Sequence, residues 1–240
     1  MKIMIIRHAD PDYSIDGLTD KGKREAELLS KKLLEEDPKE IYVSPLGRAQ
    51  LTAKYYLDLT GQTAQTKDWL REFLAPVYFQ DGTESYMWDL YPEFLDSNRD
   101  LFELSGWQDN PLIKSGKVIE EYKRVTDGLD EILQLNGYKR NGYIYDAEKS
   151  NEDTLMFFCH FGVECIMLSH LLNIPPVSLL HGFCCAPSSV TVLYTEERVK
   201  GKAYFRCNSL GDTTHLYIGN EEPSFAARFC ETYENESQRH

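Results

Sequence analysis

Lys2-Ile3-Met4-Ile5-Ile6-Arg7-His8-Ala9 is the stretch that decides the fold. Ile3 to Ile6 is a continuous apolar run rich in β-branched residues, which suits a strand buried on both faces in a parallel sheet covered by helices. The run ends abruptly in a guanidinium and an imidazole. In open α/β sheets, ligands bind where strands end and the chain turns away. Arg7 and His8 therefore stand where a site is expected, a rigid fork for an anion beside a nitrogen nucleophile or base. A strand-end Arg and His can also meet a carboxylate by chance, so this pair alone does not decide the chemistry.

Two distant segments weigh against chance. Ser44-Pro45-Leu46-Gly47-Arg48-Ala49-Gln50-Leu51-Thr52 follows the apolar pair Tyr42-Val43, and Leu155-Met156-Phe157-Phe158-Cys159-His160-Phe161-Gly162 is a second apolar run ending in a histidine. With these, the sequence resembles the histidine phosphatase (phosphoglycerate mutase-like) superfamily, branch 1. That family carries Arg-His-Gly after the first strand, Ser-Pro-x-x-Arg-Ala-x-x-Thr at the second, and a later His-Gly-type motif. Each motif alone is weak; three in order at strand ends are specific. The resemblance implies a three-layer α/β/α sandwich with a mostly parallel central sheet. It also implies that His8 is the nucleophile, with Arg7, Arg48 and His160 binding the phosphoryl oxygens. The family's proton donor follows a third strand, and the matching residue is Glu72 in Leu70-Arg71-Glu72, with Asp10 next in line. Glu72 read without the family could equally pair with Arg71 or a lysine.

The rest of the chain reads consistently with such a sheet. Thr19 looks like an N-cap before a helix over 21–36, with Ala26, Leu29, Leu33 and Leu34 at helical spacing. Glu40 to Val43 reads as a second parallel strand, and Ser44-Pro45 as an N-cap with proline at the first helical position. Arg48 then falls in the first turn of a helix, where free backbone N–H groups favour anions. A short strand is expected over 63–67 and a helix over 115–135, ended by Asn136-Gly137. Late strands are expected over 189–194 and 202–206 as an antiparallel hairpin. The pattern weakens over 75–150, which reads as a helical cap inserted into one domain, and the acidic tail after Glu231 is expected to fray.

Composition bounds the partners. The chain has 240 residues and is 42% hydrophobic, enough to bury a core. With 39 acidic and 26 basic residues its net charge is −13, which argues against nonspecific nucleic-acid or anionic-membrane binding. No stretch approaches the length of a membrane span and the N-terminus lacks a signal-peptide pattern, so a cytoplasmic location is expected. The six cysteines (159, 165, 184, 185, 207 and 230) then read as reduced thiols, with Cys159 and Cys165 in the core. Cys184-Cys185 reads as packing, with a redox role left open. No Cys-x-x-Cys or Cys/His ligand spacing is present, so neither a metal nor another cofactor is expected.

Two departures from the family pattern bear on activity. Ala9 stands for the usual glycine. Beyond it, Asp10-Pro11-Asp12-Tyr13 replaces the Ser or Thr and the Asn that help mutases hold phosphate and substrate. The expected function is a metal-independent phosphomonoesterase working through a phosphohistidine on a small organic phosphate. A phosphoglycerate-type mutase and a non-catalytic phosphate-binding protein on the same scaffold are the alternatives. Of the remaining histidines, His170 and His215 read as structural, His181 as a turn residue near the pocket, and His240 as terminal. The aromatics Tyr78, Phe79, Trp88, Tyr91 and Trp107 read either as core or as contacts for a leaving group.

Overall fold

The computed structural model of the chain describes residues 1–224 and residue 234. Cys230, His240 and the tail expected to fray after Glu231 otherwise lie outside the described residues. The elements in order are β1 (Lys2–Arg7), β2 (Pro11–Asp12), β3 (Gly17–Leu18), α1 (Asp20–Leu33), β4 (Pro38–Val43), α2 (Gly47–Thr60) and β5 (Gln65–Thr66). There follow β6 (Pro76–Tyr78), β7 (Glu84–Tyr86), α3 (Pro92–Ser97), α4 (Pro111–Ser115), α5 (Val118–Leu135), β8 (Tyr138–Asn141) and β9 (Ile144–Ala147). The chain closes with β10 (Thr154–Cys159), α6 (Phe161–Leu172), α7 (Pro176–Gly182), β11 (Val190–Val199), β12 (Lys202–Asp212) and α8 (Thr214–Ile218).

Eight strands form one sheet in the order β5-β4-β10-β1-β11-β12-β9-β8. From β5 to β1 the pairing is parallel; from β1 through β11, β12, β9 and β8 it is antiparallel. The three-layer α/β architecture is the one expected, but the sheet is mixed rather than mostly parallel. Local connection length accounts for two of the four antiparallel pairs. Short turns join β11 to β12 and β8 to β9, and short turns permit only antiparallel neighbours.

Alternation along β1 sorts its side chains between two cores. Ile3 and Ile5 pack with Val125, Leu129 and Ile132 of α5 and with Ile166 and Met167 of α6. Met4 and Ile6 pack with Leu29 and Leu33 of α1 and with Ala49, Ala53 and Tyr56 of α2. A strand buried on both faces must be apolar at every position, which accounts for the unbroken run. Each such buried side chain contributes roughly 2 kcal/mol. The α1 helix starts where Thr19 accepts the Gly22 N–H at 3.0 Å, as its N-cap reading requires. It ends at Leu33, and Leu34 is 51% exposed rather than part of the stripe.

The stretch 75–150 divides in two. Residues 118–147 build α5, β8 and β9 into the sandwich, whereas 76–115 form the hairpin β6–β7 and short helices beside it. Val77, Met87, Leu101 and Trp107 nevertheless share one continuous core with the sheet residues Ile5 and Phe157. The helix expected over 115–135 starts only at Val118, because Gly116 is extended (φ −124°, ψ −160°); a Cβ there would lie 1.9 Å from the Pro76 carbonyl oxygen, which requires glycine.

Candidate active site

Three adjacent parallel strands end at the same level. Arg7 pairs with Cys159, and Val43 with Phe158. The next residues, His8, His160 and Ser44, therefore emerge side by side. Backbone bonds continue the ladder past the strands, His8 N–H to the Cys159 carbonyl at 3.0 Å and Ser44 N–H to the Phe158 carbonyl at 2.9 Å. Register alone thus brings together two histidines far apart in the chain, with ring centroids 5.1 Å apart.

Both rings are buried, and the partner of His8 fixes its tautomer. His8 Nδ1 lies 2.8 Å from the Ala9 carbonyl oxygen, which can only accept, so Nδ1 carries the proton and Nε2 keeps its lone pair. His160 Nε2 lies 2.7 Å from Ser44 Oγ, which also accepts the Leu46 N–H at 3.2 Å. Ser44 Oγ has one proton to give, and donating it to Nε2 makes Nδ1 of His160 the protonated nitrogen, free to donate. His8 is held well below its ordinary pKa, by burial first and then by Arg7, with Arg48 adding and the Ala9 carbonyl opposing. His160 is lowered likewise by burial, then by His8, Arg48 and Arg7. Both are neutral imidazoles near neutral pH.

Arg7 and Arg48 are buried beside them. The Arg7 Nη1 group donates to the Cys185 carbonyl, and its guanidinium lies 5.6 Å from the Phe161 ring centroid. Arg48 donates to Asp16 at 2.6 Å and lies 5.4 Å from the Tyr13 ring centroid. Asp16 also accepts the Gly47 N–H at 2.6 Å, so it caps α2 from outside the helix. The helix accordingly begins at Gly47 with Leu46 as N-cap, which corrects the Ser44-Pro45 start read from the sequence. Ser44 is freed for His160. Arg48 remains in the first turn. Among the described residues, Arg7 Nε, Arg48 Nε and His160 Nδ1 are buried and meet no hydrogen-bond partner.

Glu72 enters from the loop before β6. Its Oε1 accepts the Phe73 N–H at 2.7 Å and the Val163 N–H, in the first turn of α6, at 3.3 Å. A Cβ on Gly162 would lie 2.7 Å from that oxygen, so the glycine after His160 is what admits the carboxylate. Burial raises the Glu72 pKa; the two backbone amides, Arg7 and Arg48 pull it back. Arg124, on α5, holds this loop by donating to the carbonyls of Trp69, Arg71 and Glu72. Asp10, the second candidate acid, is committed elsewhere, since both its oxygens accept hydroxyl protons from Thr19 and Ser224.

Ser44, Asp16 and Arg124 support these groups, and sequence reasoning assigned none of them that work. Ser44 sat inside a recognised motif but was read as a cap. Nothing in the sequence around Asp16 or Arg124 signals these contacts. Two other described histidines are structural in geometry: His170 pairs with Asp130 at 2.9 Å, and His215 bonds Ser188, whose backbone N–H holds the His8 carbonyl. His181 bonds the Met87 carbonyl at 2.9 Å, tying α7 to the segment beyond β7. Trp107 is core, Tyr78 and Tyr91 are exposed, and Trp88 stacks on Tyr86. Cys159 and Cys165 are buried, with thiols pushed well above their usual range. Cys185 meets Arg7 through its carbonyl. Among the described residues, no three His, Cys, Asp or Glu side chains are grouped to hold a metal ion.

Comparison with known proteins bears on the family and the fold. A curated relative, "Putative phosphoserine phosphatase 2" of Hydrogenobacter thermophilus, is 27% identical over 144 residues, 55% of this chain and 66% of the relative. A phosphoserine phosphatase from Entamoeba histolytica, solved with phosphoserine, superposes with a TM-score of 0.61 at 18% identity, covering 90% of this chain and 98% of that one. A mycobacterial glucosyl-3-phosphoglycerate phosphatase gives 0.59 at 16% identity, covering 88% and 99%. The sequence pattern of the histidine phosphatase superfamily, branch 1, matches residues 3–206, a span holding both histidines, both arginines and Glu72; the chain belongs to that family.

Proposed function

We propose that the protein is a phosphomonoesterase acting on a small organic phosphate through a phosphohistidine at His8. The observation that carries this reading is the set of buried donors that meet no partner among the described residues, Arg7 Nε, Arg48 Nε and His160 Nδ1, around a neutral His8 whose Nε2 keeps its lone pair. Donors of this kind call for a compact, multiply charged acceptor. A phosphoryl group meets that need within a molecule whose overall charge repels anions.

In the first step Nε2 of His8 attacks phosphorus, an N–P bond forms and the P–O bond to the leaving group breaks. Arg7, Arg48 and His160 hold the equatorial oxygens, where charge is spread in the transition state. Glu72 gives its proton to the departing alkoxide. In the second step water loses a proton to Glu72, attacks phosphorus and releases phosphate, which restores both residues. The residues of this site supply nucleophile, charge and proton without a metal.

Hydrolysis is favoured over a mutase reaction by the turn after His8. Pro11 and Asp12 pair with Gly17 and Leu18, and this hairpin sets Asp16 and Tyr13 against Arg48. Asp10-Pro11-Asp12-Tyr13, in place of the Ser or Thr and the Asn of mutases, offers acids and a proline where donors for a second phosphate would be needed. Residues 76–115, which follow directly from Glu72, would cap the leaving group and set its class. The test is a screen over metabolite phosphomonoesters with excess chelator present. Release of inorganic phosphate, undiminished by chelator, is expected. Isomerised phosphate without release would indicate a mutase, and binding without turnover a regulatory protein. Chelator-sensitive turnover restored by a divalent ion would refute the mechanism.

A further inference from the structure

Glu25 takes no part in that scheme, yet it is wholly buried against the turn that follows His8. Its Oε2 accepts the Asp10 N–H at 2.9 Å. The carbonyl of the same peptide group, that of Ala9, accepts the His8 Nδ1 proton at 2.8 Å. We propose that Glu25 is a positioning residue for the His8 nucleophile, acting through the single amide between Ala9 and Asp10. This inference rests on the reading of His8 as nucleophile.

The physical link is amide resonance. A carboxylate on the N–H end draws the amide toward its charge-separated form and places more negative charge on the carbonyl oxygen. That oxygen then holds the Nδ1 proton more strongly. When Nε2 bonds to phosphorus the ring keeps its Nδ1 proton and becomes positively charged. The stronger acceptor stabilises that charge as it develops, and no proton changes hands. The arrangement does through one peptide bond what a carboxylate does when it touches a histidine directly.

The surroundings hold this amide in place. Ala9 N–H donates to Thr52 Oγ1 at 3.0 Å, and the Asp10 carbonyl accepts the Thr19 N–H at 3.1 Å. On α1, Gly22 lies one turn before Glu25, and a Cβ there would fall 2.2 Å from the Asp10 carbonyl oxygen. The helix is thus shaped to receive this backbone. The charged and polar groups facing Glu25 are Lys21 on its own helix at 3.8 Å, the Asp10 carboxylate from the turn, and the Ser224 backbone amide. Burial, the largest influence, raises the Glu25 pKa to about 7, with Asp10 raising it further and Lys21 and the amides opposing. The carboxylate is therefore charged above about pH 7 and neutral in mild acid, so the link weakens as pH falls.

The test compares the wild-type protein with Glu25→Gln, which keeps an oxygen for the Asp10 N–H and removes the charge. Nuclear magnetic resonance of the resting protein follows the His8 Nδ1 proton and the Asp10 amide proton between about pH 5.5 and about pH 8.5. In the wild type both are expected to shift together with a midpoint near 7, as for Glu25 itself. In the variant the titration vanishes and the His8 proton moves upfield. In single-turnover experiments with p-nitrophenyl phosphate, Glu25→Gln should phosphorylate about tenfold more slowly, with inhibition by inorganic phosphate unchanged within about twofold. A wild-type His8 proton that ignores pH in this window, or a variant matching wild type in both readouts, overturns the inference. The wild-type titration decides the matter if the variant fails to fold. It also decides it if the protein turns over no phosphoester, because it needs no activity.

Discussion

Opposing influences meet at Glu72. Burial favours its protonated form, while the Phe73 and Val163 amides and the two arginines favour the carboxylate. The balance lies above the ordinary value, which suits a group that must give a proton and then take one back. Glu72→Gln should slow alkyl phosphate hydrolysis by about 100-fold or more, the usual range for general acid catalysis. Loss on p-nitrophenyl phosphate should stay within about tenfold, because that leaving group scarcely needs a proton. Steady-state kinetics on both substrates checks this; equal losses would remove Glu72 from the acid role. At this scale the sequence shows the groups that the structure brings together, because Arg7, His8, Arg48 and His160 sit in motifs at strand ends. It hides the groups that orient them. Ser44, Asp16, Arg124 and Glu25 act through contacts set only when distant segments pack.

At the level of elements, the site depends on how α6, β11 and the loop between α7 and β11 lock together. Glu164, in the first turn of α6, is buried and accepts the Thr191 hydroxyl of β11 at 2.5 Å. It also faces Cys185, whose carbonyl anchors Arg7. Burial raises its pKa from 4.5 to about 7, with Thr191 and Arg7 opposing. The folded state therefore holds a proton that the unfolded state has lost. Stability from this group is full below the unfolded value and falls as pH rises through about 7. The loss is on the order of 3 kcal/mol at most by alkaline pH. Urea unfolding should show the wild type losing stability from about pH 5 to about pH 8, and Glu164→Gln losing distinctly less. Parallel declines would contradict this account of Glu164.

Element reading succeeded where burial imposes a pattern. β1, β4 and β10 lie in the sheet interior, and α1 and α5 bury one face each, so apolar spacing announces them. β8 and β9 carry no such pattern: β8 is the edge strand, β9 lies beside it, and neither is apolar throughout. Their signal was the Asn141-Gly142 dipeptide, with Gly142 at φ 61°, at the turn that closes this hairpin. The start of α2 was misread because its cap comes from Asp16, outside the helix.

For the whole molecule, the mixed sheet explains why the site lies where it does. The parallel half aligns the ends of β4, β10 and β1, and the antiparallel half closes the other side of β1 with β11. This leaves His8 at the junction, held from both neighbours by Cys159 and Ser188. With a net charge of −13 the molecule repels phosphate at a distance, so attraction rests on two buried arginines. Covalent capture of phosphate by His8 is the central claim, and trapping tests it most directly. The protein is mixed briefly with a labelled small phosphomonoester, quenched in alkali, digested and mapped. Acid-labile phosphate on His8 is the predicted result, absent in His8→Ala together with turnover. Label on another residue, or robust turnover by His8→Ala, would contradict the account.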